Sequence, residues 1–110
     1  MIQKTIAELE ARLEKVDSVK EENKAELLNL LSTLKSEIDE LSKTHGEQAQ
    51  SIAGFTSVSA HEAIRESKNP RLVQLALDGL STSVSELEQS HPKLVDAVNR
   101  ICVTLSNLGI

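Results

Sequence analysis

The chain has 110 residues, of which 39% are hydrophobic and 26% charged, with a formal net charge of −5. That length buries one core but not two, so a single domain over 1–110 is expected. One Phe and no Tyr or Trp leave the apolar share to Leu, Ile, Val and Ala, which favours helices and argues against a β-sandwich or barrel.

The interspersed, net-acidic charge offers no phosphate-tracking surface, and Phe55 is the one aromatic that could stack a base, so no nucleic-acid partner is expected. No apolar run nears the roughly 18 residues a membrane span needs. The start Met1-Ile2-Gln3-Lys4 has no signal-peptide apolar region, and a cytoplasmic location with no membrane partner is expected. The single Cys102 has no intrachain disulfide partner.

Ile2, Ile6, Leu9, Leu13 and Val16 step by four and three, the rhythm of a helix burying one narrow stripe. Asp17-Ser18 interrupts it, and Ser18-x-x-Glu21 has the form of a capping box that would open a second helix. The stripe of that helix is Leu27, Leu31, Leu34, Ile38 and Leu41, widened by Leu28 and Leu30, and Gly46 suits a left-handed stop. Residues 1–42 therefore read as a helical hairpin.

Across 43–69 the heptad lapses, and Gly54-Phe55-Thr56-Ser57-Val58 carries as much strand as helix propensity. Thr44-x-x-Glu47 and Ser59-x-x-Glu62 both resemble helix starts. An interrupted helix, or a loop and a short helix, is expected, since a lone strand would have no sheet to join.

Asn69-Pro70 signals a new helix, with Asn as the cap and Pro at the first helical position. From there Val73, Leu77, Leu80, Val84 and Leu87 keep the four-three rhythm, as do Leu94, Val98, Ile101, Leu105 and Leu108. Pro92 would cost about 3 kcal/mol inside a helix. A turn at Ser90-His91-Pro92 is therefore favoured over a kink, although the heptad phase runs unbroken through it.

These stripes predict an all-α fold: antiparallel helical hairpins in a small bundle with coiled-coil-like heptad packing, and the middle segment across or beside it. Leu72, Leu75, Val95 and Val103 then point away from the seam. Something should cover them, either the middle segment or a second copy.

The candidate chemistry is sparse. His61-Glu62-Ala63-Ile64-Arg65 approaches the zinc-peptidase H-E-x-x-H pattern, but Arg65 stands where the second ligand belongs and a guanidinium binds no metal. A cap formed by Ser59 and Glu62 on an exposed face is the simpler reading. His45, His61, His91 and Cys102 have no metal-ligand spacing, and Cys102 flanks an apolar stripe as a small hydrophobe. The four glycines form no phosphate loop; Gly79 suits close approach of a neighbouring helix. No metal or cofactor is expected. If a ligand or partner is recognised locally, Phe55, His61, Glu62 and Arg65 are the residues to examine.

The run Leu87-Glu88-Gln89-Ser90-His91-Pro92-Lys93-Leu94, then Val98-Asn99-Arg100-Ile101 and the ending Leu105-Ser106-Asn107-Leu108-Gly109-Ile110, resembles the bacterial proteins of domain of unknown function 4404. The hairpin Ile2 to Leu41 is similar too, while His45 to Lys68 departs from the shorter members. The resemblance implies a bacterial, cytosolic helical protein and brings no activity or site residues. The expected function is non-enzymatic self-association, as a dimer or higher oligomer, or binding of a protein partner. The broad Leu faces around Leu27, Leu28, Leu30 and Leu31, with Leu72, Leu75 and Val103, would supply the contact. The alternative is a small-molecule or metal-binding regulator built on His61, Glu62 and Arg65.

Overall fold

In the computed structural model, residues 2–17 and 19–109 are described, Ile2 and Gln3 through their backbone alone. Five helices follow one another: α1 (Ile2–Lys15), α2 (Glu21–Ser42), α3 (Gly46–Ile64), α4 (Pro70–Ser83) and α5 (Pro92–Gly109). The all-α fold is as the stripes predict.

Ile6, Leu9 and Leu13 of α1 are buried, as is the whole α2 stripe from Leu27 to Leu41. Lys35 Nζ lies 2.8 Å from Glu10 Oε1 and ties the two helices together. Lys24 Nζ donates to the Glu14 carbonyl at 3.4 Å, supplying one of the partners that the last turn of α1 cannot find within the helix. Ser18 of the expected capping box lies outside the described residues. The N-cap of α2 is Lys20, whose side chain makes no capping bond.

The segment 43–69 corrects the expectation of irregular or short-helical structure, because α3 runs uninterrupted for 19 residues. Its buried face is mostly small: Ala49, Ala53, Thr56, Ser59, Ala60 and Ala63, with Ile52 and Ile64. Small residues let helix axes approach closely, and α3 touches each of the other four helices. It is the centre of the bundle rather than a strap across it. Gly46 is not a left-handed stop but the first residue of α3, and no described glycine has positive φ. Neither expected cap in this segment forms. The N-cap of α3 is His45, Thr44 Oγ1 donates back to the Leu41 carbonyl at 3.4 Å, and Ser59 is fully buried in the helix interior.

Asn69 does cap α4, its Oδ1 accepting from the backbone N–H groups of Arg71 at 3.0 Å and Leu72 at 3.4 Å. Pro92 opens α5, so the chain turns there and does not kink. The unbroken heptad phase has a local cause. Val84 and Leu87 lie in the connection, where bonds from Leu87 N–H to the Val84 carbonyl (2.9 Å) and from His91 N–H to the Leu87 carbonyl (2.8 Å) fold them back into the core. One core cluster draws on all five helices, and the Cα frame spans 37 × 25 × 22 Å.

Candidate functional site

The polar residues singled out in the middle of the chain gather at the end of α3, against α1. Arg12 Nη1 donates to His61 Nδ1 at 2.9 Å, which leaves Nε2 to carry the ring proton. That nitrogen lies 3.9 Å from Glu62 Oε2, while Arg65 Nη1 donates to Glu62 Oε1 at 2.9 Å. The Glu62 side chain is 13% exposed, so Arg65 supplies the counter-charge that partial burial of a carboxylate demands. The Arg12–His61 hydrogen bond thus joins α1 to the C-terminal turn of α3, beside the Glu62–Arg65 ion pair.

Glu62 therefore faces Arg65 rather than capping Ser59, whose hydroxyl is buried with no partner among the described residues. Among the described residues no group of three or more His, Cys, Asp or Glu is placed to hold a metal. His45 and His91 meet elsewhere, rings edge to face with centroids 6.0 Å apart, where the α2–α3 turn adjoins the turn before α5.

Phe55 does not join this cluster. A Cβ on Gly79 would sit 2.5 Å from Phe55 Cε1 and 2.7 Å from Cδ1, so the ring lies directly on the α4 backbone. His61 reaches α1 from the same helix, and the four residues expected to form one ligand segment thus split between two faces of α3.

The apolar candidates also divide. Leu30 is buried in the core with Leu27 and Leu31, Leu28 packs half-buried against it, and Val95 is buried too. For Leu30 the cause is that α2 lies among α1, α3 and α5, so its broad Leu face is covered within the chain, while Val95 joins the same core cluster from α5. Leu72 (40% exposed), Leu75 (57%) and Val103 (62%) stay on the surface, together with Phe55 (40%) and Val58 (50%).

Cys102 lies in a groove of about 300 Å³ between α4 and α5, lined also by Asp78 and Val103. Burial, and secondly the Asp78 carboxylate, push its thiol above the ordinary range. The thiolate is the reactive form, so a raised pKa leaves less of it at any given pH below that value. Iodoacetamide at pH 7.5 is expected to alkylate Cys102 more slowly in the folded chain than in urea, with Asp78→Asn accelerating the folded reaction; mass spectrometry over time reads both rates.

The family model described as Domain of unknown function (DUF4404) matches residues 29–110, and the chain belongs to that family. The match includes all of α3, so the segment that departs from the shorter members lies inside the family's span; of the N-terminal hairpin it includes only the part from residue 29 onward. No curated protein and no solved structure matches the chain. No described helix is long and apolar enough to cross a membrane.

Proposed function

We propose that this protein is non-enzymatic and works by association, with copies of itself or with a protein partner, in the bacterial cytoplasm that the family resemblance implies. The observation that carries this reading is the surface apolar set Val58, Leu72, Leu75 and Val103 on a bundle whose core is already filled by all five helices. Single exposed apolar residues are ordinary, but neighbouring ones on adjacent helices gain by being covered. The ligand-binding alternative is less well supported, because the Glu62 carboxylate and the His61 ring are already engaged by Arg65 and Arg12.

Native mass spectrometry on the untagged protein tests the reading, and suits a chain that has no Trp or Tyr for absorbance at 280 nm. A whole multiple of the 12.0 kDa chain mass is expected. Leu75→Glu should reduce it to the single chain while circular dichroism at 222 nm is unchanged. A wild-type monomer with a reproducible small-molecule adduct would overturn the reading, and loss of helicity in Leu75→Glu would return Leu75 to the fold.

A further inference from the structure

We propose that the self-association is an isologous dimer through α4, with two copies antiparallel about a two-fold axis between Gln74 and Leu75 and Arg71 of each copy against Asp78 of the other. This rests on the self-association reading above and names its surface and partner. Arg71, Leu75, Asp78 and Thr82 step by four, three and four, and all four are exposed. They form a stripe on α4 opposite the buried Val73, Leu77 and Leu80.

The charges on that stripe are opposite in sign and seven residues apart on one exposed helix face. The Arg71 guanidinium has no ion-pair partner among the described residues, and Asp78 accepts only the Gln74 amide, at 2.8 Å. Seven residues of helix separate Arg71 from Asp78 by about 10 Å, too far to pair within one chain. An antiparallel copy centred midway between them brings each against its opposite, twice over, because a two-fold axis repeats every contact. The same axis sets Leu75 against its own copy at the centre of the contact.

The apolar surface agrees with that placement. Grooves of about 430 Å³ beside Phe55 and about 300 Å³ beside Val103 flank the stripe, with Asp78 on the rim of both. The contact of Phe55 with Gly79 also fixes the register of α3 on α4, each residue lying nine positions from its end of the short link between the two helices. Val58, three residues on from Phe55 on α3, and Leu72 and Leu75 on α4 are all exposed and supply apolar surface on these two adjacent helices.

Charge reversal tests the pairing. Arg71→Glu alone and Asp78→Arg alone each set like charges together twice. Each is expected to raise the dimer dissociation constant roughly tenfold or more in light scattering across a concentration series. The double variant should dimerise again, and a mixture of the two single variants should give a heterodimer, because each then supplies the sign the other lacks. If wild type dimerises and the single variants do so equally well, the α4 pairing is wrong while self-association stands. If the single variants dissociate but neither the double variant nor the mixture recovers, the opposition of residues 71 and 78 is wrong. A wild type that is monomeric at every concentration overturns the dimer and self-association together, and of the association proposed above leaves only binding of a different protein.

Discussion

Ile52→Ala is expected to lower the unfolding free energy by about 2–5 kcal/mol, the range for truncating a fully buried aliphatic side chain that leaves a cavity. Ile52 is 0% exposed and lies on the helix that touches all the others. The Ala and Ser residues around it on the α3 face have no spare length with which to fill the space. The comparison is Val58→Ala, half-exposed on the same helix, where a change within about 0.5 kcal/mol is expected of the isolated chain. Urea unfolding followed at 222 nm, at one fixed low protein concentration so that association does not enter, measures both. An Ile52→Ala cost below about 1 kcal/mol would mean that α3 is a peripheral segment and not the centre of the bundle.

The position of α3 also explains which parts of the fold were legible in the sequence. Helices that bury Leu, Ile and Val announce themselves by a four-three rhythm, and α1, α2, α4 and α5, with two or three neighbours each, lie on those stripes, although α4 stops at Ser83, short of Val84 and Leu87. A helix enclosed by four neighbours needs small side chains on its inner face, so its stripe is written in Ala, Ser and Thr. Ala49, Ile52, Ala53, Thr56, Ser59, Ala60 and Ala63 do recur at helical spacing, but only when small residues are counted as core. Reading Ser59 as a cap followed from the same omission. Leu30 lies in the core and not on a free face because a broad apolar face looks alike in sequence whether a fellow helix or a second copy covers it.

The polar cluster was half legible. Glu62 and Arg65 lie three apart on one helix, a spacing that pairs opposite charges. Arg12 carried no signal at all, since its contact with His61 joins residues 49 positions apart and depends on α1 packing against α3. Exposed Leu75 and Val103 could be found because an apolar residue in antiphase to its own helix stripe is visible without knowing the fold; Leu72 and Val95 both lie only off the stripe, and one is exposed while the other is buried.

Gly79→Ala and Phe55→Ala are expected to be coupled by about 1–2 kcal/mol, within the range seen for residues in direct contact. Inside a helix, Ala is favoured over Gly by about 1 kcal/mol, so Gly79→Ala should stabilise α4 wherever the added methyl has room. In the native chain it has none, because the new Cβ would fall 2.5 Å from Phe55 Cε1. The backbone cannot yield without opening the contact between α3 and α4. The ring can, since it is 40% exposed and borders an open groove. It would swing into solvent and surrender part of the roughly 1.5–3 kcal/mol that a fully buried large apolar side chain contributes. The two terms nearly cancel or leave a small loss, so Gly79→Ala in the native background should change stability little or lower it by up to about 1 kcal/mol. With Phe55→Ala already present the ring is gone, only the helix preference acts, and the same substitution should raise stability by about 1 kcal/mol. Urea midpoints of the four proteins decide the matter. Additivity within about 0.3–0.5 kcal/mol would mean that the ring does not rest on Gly79 and that the register of α3 on α4 must be redrawn.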